Sequence, residues 1–268
     1  MNTPCAFDAS RVFFAGSPAE QARCLLRHIR RGGDVDDPPP AVKLPKVLDD
    51  LLAAPEHLGL TVARLRSFLK GAQIPEETVG GSLDEPVCLW GLHGDRPAHY
   101  FLIHDTSSKL APGQDFDPKF INTMKWKGNH LENLPSGITH VFITRVGETK
   151  TDNNYRTAWF ATQFQHHPPK PLTPATAHGM FLHHELVQPR MGKGSSDIEA
   201  PEPGFTPVQY ERLALQYIIA SVRRGSWMIP GFHCVLDLGV GTHDDPQHFD
   251  LPAWGAALEK MLAAVRGS

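Results

Sequence analysis

Up to Gly80-Gly81 the apolar positions of this chain recur at helical spacing; beyond it they gather into short runs separated by turns. Ser17-Pro18-Ala19-Glu20 has the form of a capping box with proline at the first helical position. Behind it Ala22, Leu25, Leu26 and Ile29 fall on one face, and Arg30-Arg31-Gly32-Gly33 reads as the stop, cations near the negative end and glycine beyond. Residues 34–40, closing in three prolines, read as a stiff connector. Two shorter helices are predicted around residues 47–54 and 61–70, the second carrying Leu65, Phe68 and Leu69 on one side. This part, residues 1–80, is expected to form a small helical domain.

Strands are predicted at residues 87–92, 99–104, 139–145, 180–187 and 232–236. A long helix separates the last two. Thr206-Pro207-Val208-Gln209 is a second capping box, Tyr210, Leu213, Ala214, Tyr217, Ile218 and Ser221 follow at 3.6 spacing, and Arg223-Arg224-Gly225 ends the run, the arginines read as helix-end charge. A final helix starts near Asp250-Leu251-Pro252 and carries Trp254, Leu258, Met261, Leu262 and Val265. Strands interleaved with helices predict an α/β domain over residues 81–268, a mixed central β-sheet flanked by helices.

Composition narrows the class. With 268 residues, 41% hydrophobic and 21% charged, the chain can bury a sizeable core as one large or two unequal domains. A net charge of -3 argues against a nucleic-acid binder, which shows a clustered basic surface. No apolar run approaches the roughly 20 residues that cross a bilayer. Residues 1–16 lack the charged and apolar regions of a secretory signal. That fits work in the cytoplasm, export by a route that reads no such signal, or a trimmed start. Cys5, Cys24, Cys88 and Cys234 form no CxxC pair and are expected to be small buried hydrophobes, with no disulfide framework.

Three segments carry side chains suited to chemistry. In His99-Tyr100-Phe101-Leu102-Ile103-His104 the period of two puts Tyr100, Leu102 and His104 on one face. The strand delivers His104 at its end, where the polar turn Asp105-Thr106-Ser107-Ser108 begins; such ends often carry catalytic groups, though a lone histidine there is more often structural. In Phe181-Leu182-His183-His184-Glu185-Leu186-Val187 alternation sets His183, Glu185 and Val187 against His184 and Leu186. A carboxylate is costly to bury unpaired, so Glu185 either faces solvent or projects into a polar cavity, and its apolar neighbours favour the cavity. In the third, the predicted strand histidine His233 is followed by the turn His243-Asp244-Asp245-Pro246. Two neutral imidazoles and a carboxylate make an open zinc site with a fourth position for water. The plainer alternative is that this turn only caps the last helix.

Together these segments resemble the zinc N-acetylmuramoyl-L-alanine amidases of the AmpD and peptidoglycan-recognition-protein type. Ile103-His104-Asp105-Thr106-Ser107 is similar to the family's opening strand-end histidine, His184-Glu185-Leu186 to the strand bearing its glutamate, Phe232-His233 to its second histidine and Asp245-Pro246 to its Asp-Pro turn. Phe205-Thr206-Pro207-Val208-Gln209-Tyr210 looks like the family's Phe-Thr-x-x-Gln-Tyr helix start. His140-Val141-Phe142-Ile143, running on to Gly147, looks like its His-x-x-Ile strand and Arg-x-Gly turn. The stretch 246–254 resembles the opening of its last helix. The resemblance covers residues 85–265 and rests on the order of the motifs.

The resemblance implies an amidase/peptidoglycan-recognition-like fold with His104, His233 and Asp245 as Zn2+ ligands and Glu185 as catalytic acid/base. His243 stands where the family has lysine, a departure, and would donate a proton or hydrogen bond to a developing oxyanion. Asp244 is a rival to Asp245, which directly precedes the proline as in the family. The implied substrate is peptidoglycan or a muropeptide, cut at the amide between N-acetylmuramic acid and L-alanine. Asp105 and Thr106 are expected to orient His104, and Trp159 to lie on the substrate side. The tract 110–133, with Lys125, Trp126 and Lys127, and the loop His166-His167-Pro168-Pro169 are either cleft walls or solvated surface.

Three other readings stand beside this one: a non-catalytic peptidoglycan-binding module of the same fold, a zinc hydrolase of another amide, and a structural domain whose histidines are incidental. Two settings fit the expected lack of a signal. One is recycling of muropeptides in the cytoplasm. The other is delivery by a specialised, type VI–like secretion system into a competitor's periplasm, with an immunity protein as partner and the N-terminal helices serving delivery or wall attachment.

Overall fold

Strands buried on both faces read as continuous apolar runs rather than alternating ones, and two such runs form the middle of a sheet in this chain. The computed structural model describes residues 5–28, 39–110, 116–191, 199–238 and 243–268. Its central strands, in chain order, are β1 (Tyr100–Asp105), β2 (Val141–Ile143), β3 (Thr149–Thr151), β4 (Phe181–Leu186) and β5 (Ile229–Phe232). They lie side by side in the order β5-β1-β4-β2-β3, parallel except for β3, which runs antiparallel to β2. All residues of β1, β4 and β5 are buried. The architecture is mixed α/β, as expected.

The helices that frame this sheet are α1 (Pro18–Leu25), α2 (Lys46–Ala53), α3 (Val62–Gly71), α4 (Pro207–Arg224), α5 (His233–Leu236) and α6 (Leu251–Arg266). Both capping boxes form: Ser17 with Glu20 opens α1, and Thr206 with Gln209 opens α4. Gly225 ends α4 in the left-handed conformation that a side chain would disfavour. On one face of the sheet Phe101 stacks on His184 at 3.8 Å and meets Tyr217 of α4 edge-on. On the other, Tyr100 and Phe181 pack against Phe14 and Phe164. Helix α1 lies directly on β5, where a Cβ on Gly231 would come within 3.0 Å of Leu25 Cβ. Leu25, Leu48 and Leu65 of the N-terminal helices belong to the same buried cluster as Phe232 and Trp254.

Several expectations need correction. The run 232–236 is not a strand: β5 ends at Phe232 and the chain turns at once into α5. A short apolar run does not distinguish strand from buried helix by period, and β5 pairs with β1 only as far as Phe232 opposite Ile103. The strand expected at 87–92 shrinks to Leu89–Trp90, in a hairpin with Arg96–Pro97. Helix α1 stops at Leu25; Ile29, the stop at 30–33 and most of the connector 34–40 lie outside the described residues. Arg223 and Arg224 sit in the last turn of α4 but do more than offset its dipole. Arg223 is buried and donates to the carbonyls of Gly80 (2.6 Å) and Glu85 (2.8 Å), and Arg224 donates to Ala98 O (2.8 Å).

The cysteine expectation fails at one pair. Cys5 and Cys24, 19 residues apart, form a disulfide that ties the Phe7–Asp8/Phe13–Phe14 hairpin region to α1, while Cys88 and Cys234 are buried and outside any disulfide. Nothing in the spacing announces the pair, because the partners meet only once α1 is docked. Replacing both by serine should cost about 3 kcal/mol by the loop-entropy argument. Urea midpoints of oxidised wild type and variant measure this, and identical midpoints would contradict it.

Two histidines, half-buried His99 and buried His140, make the fold acid-sensitive. His99 Nδ1 accepts from Arg224 Nη2 at 2.7 Å, and burial, helped by the charges of Arg224 and Arg96, brings its pKa down to about 3. His140 accepts the His183 amide at Nδ1, and burial takes it down to about 4. Each folded value lies below the ordinary 6.5, so the unfolded chain binds more protons in between. Stability is therefore fully present above that value and is lost as pH falls, by roughly 1.4 kcal/mol per unit for each group. The melting temperature should drop steadily from about pH 6.5 to about pH 5; a flat profile would refute the neutral burial.

Candidate metal centre and active site

Register brings the site together. Parallel pairing sets His104 beside Glu185 and Ile103 beside Phe232, so three neighbouring strands deliver His104, Glu185 and, one residue past β5, His233 at one edge of the sheet. In open α/β sheets this C-terminal edge is where ligands bind. The turn 243–246 folds back over it, anchored by the Cys234 amide donating to Asp245 O at 3.0 Å. Asp245 Oδ2 then lies 3.0 Å from His233 Nδ1 and 3.6 Å from His104 Nδ1. His104, His233 and Asp245, all buried, offer ligand atoms within 4.8 Å of one another. Glu185 Oε1 is 4.0 Å from His104 Nδ1, and its buried Oε2 has no hydrogen-bond partner among the described residues.

Asp244 points elsewhere, its Oδ2 accepting from Gln247 Nε2 at 2.7 Å and its Oδ1 lying 3.7 Å from Arg190 Nη2. His243 sits on the far side of His233. The two rings stack with centroids 4.1 Å apart, and His243 Nδ1 is 2.8 Å from Asp237 Oδ2. His233, Asp237 and His243 thus form a second group within the same 4.8 Å limit. His233 Nε2 lies 2.8 Å from Asp237 Oδ2, and the two oxygens of Asp237 also accept the amides of Gln163 and Phe164 at 3.0 Å.

Burial and mutual charge set the protonation of the cluster. Burial raises Glu185 well above the usual carboxylate range, and the nearby charges of Asp245 and Asp105 push it further. His104 is brought down to about 4, chiefly by burial. Burial opposes charge on His233 as well, but Asp245 and Asp237 flank it and carry it up to about 10. For Asp245 burial also disfavours the charge, yet the imidazoles of His233 and His104 hold it well below the ordinary value. His233 and Asp245 thus favour their charged forms, and His104 and Glu185 their neutral ones.

Glu185 does face a cavity, of about 180 Å³, whose walls include Asp105, Thr106, Gly128, Leu134, Ile138 and Phe142. Gly128 comes from the tract 110–133, whereas the loop 166–169 contributes none of the lining residues. Trp159 stands behind the rim, its Nε1 donating to Ile138 O at 3.2 Å. The expectation that Asp105 and Thr106 orient His104 is corrected. Asp105 instead accepts from Arg190, Ser107 and Gln247, and Thr106 Oγ1 accepts the Gln188 amide, while the partner of His104 Nε2 is His183. Sequence reasoning missed His183, Asp237 and Arg190. Asp237 had a signal: it lies four residues after His233, one helical turn, visible once 233–236 is read as helix.

No protein-family model matches this sequence, and no curated protein does. Among solved structures, a crystal structure of a Se-Met AmpD derivative aligns at 17% identity over 67% of this chain and 97% of that chain, with a TM-score of 0.38. A superposition that loose carries no argument about this chain.

Proposed function

We propose that this chain is a zinc-dependent amidase that cuts the bond between N-acetylmuramic acid and L-alanine in bacterial peptidoglycan or muropeptides. The observation that carries the proposal is the convergence of His104, His233 and Asp245 with Glu185 beside them at a cavity. The order of the sequence motifs supports the substrate class.

Two imidazoles and one carboxylate are the donor set of an open zinc site. Between the two groups that share His233, the one containing His104 and Asp245 fits better. Asp237 already holds two backbone amides, and its contact with His233 Nε2 is the outer partner that orients a ligating imidazole. His104, His233 and Asp245 would hold Zn2+, which when bound would supply a Lewis acid for the scissile carbonyl and lower the pKa of water. Glu185, with its raised pKa and unpartnered Oε2, accepts the proton of the attacking water and returns it to the departing L-alanine nitrogen. His243, stacked against the ring of His233, is the candidate donor to the oxyanion.

The Cys5–Cys24 disulfide favours the exported setting over cytoplasmic recycling, because disulfides persist in oxidising compartments. In that setting an immunity protein is the expected partner. The described residues include no helix long and apolar enough to cross a membrane.

Metal analysis of the purified chain should find about one zinc per chain. Muropeptide incubation should release free stem peptide, stop with a chelator and resume with added zinc. Zinc without turnover would favour the binding module, turnover of some other amide the alternative hydrolase, and absence of metal would end the proposal.

A further inference from the structure

A ligating imidazole must keep one nitrogen lone pair for the ion, so its other nitrogen carries the proton and needs an acceptor. Asp237 fills that place for His233. For His104, whose Nδ1 faces Asp245 and Glu185, the partner at Nε2 is His183 Nδ1 at 3.0 Å. Both side chains are buried.

His183 is itself held rigidly. Its amide donates to His140 Nδ1 at 3.0 Å, and its carbonyl accepts from the His140 amide at 3.1 Å and from Thr139 Oγ1 at 2.8 Å. His140 Nε2 donates to Thr157 O at 3.0 Å, which leaves the lone pair of His140 at Nδ1 for that amide. When His183 Nδ1 accepts, the proton of its own ring sits on Nε2, which is buried with no partner among the described residues. An unpaired buried donor is costly, and an apolar residue at this place would avoid that cost. What a histidine adds is the acceptor at Nδ1. A carboxylate acceptor would also serve, but it would crowd another negative charge beside Asp245, Glu185 and Asp105.

We propose that His183 is a positioning residue that accepts the hydrogen bond from His104 Nε2–H and so fixes the tautomer and ring orientation in which His104 Nδ1 faces the metal position. This rests on the reading of His104, His233 and Asp245 as ligands. The test is zinc affinity, by chelator competition on the full chain, for wild type, His183→Leu and His183→Asn. Leucine is close to histidine in volume and accepts nothing; asparagine places Oδ1 near the former Nδ1. The leucine variant, which accepts nothing from His104 Nε2, should bind zinc about 10- to 100-fold more weakly. Asparagine should restore affinity to within about threefold.

Wild-type affinity in the leucine variant, or equal losses in both folded variants, overturns the assignment. Should the leucine variant fail to fold, His183→Gln, whose acceptor is displaced from Nδ1, takes its place with the same expected loss. Failure of the wild type itself to bind zinc would strike the metal reading instead, and the first arm shows that separately.

Discussion

Glu185→Gln is expected to slow muropeptide turnover by about a hundred- to ten-thousandfold while zinc content stays at the wild-type level. The two side chains have nearly the same shape, and Glu185 is not among the residues whose ligand atoms converge. What glutamine lacks is the ability to accept a proton at Oε2, the oxygen with no partner among the described residues. Stability should hold or rise, because burial and the charges of Asp245 and Asp105 already disfavour a carboxylate here. Peptide release in steady state, with metal content measured on the same sample, decides the matter. A zinc-loaded variant with near-normal turnover would remove Glu185 from the chemistry.

Arg190→Met should destabilise the fold by about 3–5 kcal/mol, the usual consequence of stranding one member of a buried ion pair. Arg190 Nη2 meets Asp105 Oδ2 at 2.6 Å with both side chains almost fully enclosed. The same oxygen accepts the Gln247 amide at 3.1 Å, two residues beyond Asp245. One carboxylate thus joins the end of β1, the Pro189–Arg190 segment and the turn that carries a proposed ligand. Zinc affinity should fall along with stability. Adding Asp105→Asn to the variant should recover part of the stability, since no bare charge remains. Urea denaturation of the single and double variants measures both effects; a loss below about 1 kcal/mol in the single variant would place the pair with ordinary surface bridges.

Much of this architecture is written in local pattern. The capping boxes at Ser17 and Thr206 and the 3.6 spacing of Tyr210, Leu213, Tyr217 and Ile218 specify helices without help from the rest of the chain. Alternation in β1 and β4 placed His104 and Glu185 on the face they occupy, because a period of two follows from backbone geometry alone. Side-chain facing is a short-range property. Other features depend on partners distant in sequence. His183 gains its contact with His104 only because β4 lies beside β1 in one register, and a slip of one residue would turn Glu185 to the opposite face. The turn of the chain at His233 from strand to helix, the position of His243 behind His233, the Cys5–Cys24 bond and the burial of Arg190 on Asp105 each require two segments packed together. Residue type and period thus determined which side chains were available and which way they faced. Packing of α1, α4 and α6 around the sheet decided which of them meet, since burial of nonlocal apolar surface sets strand order and register.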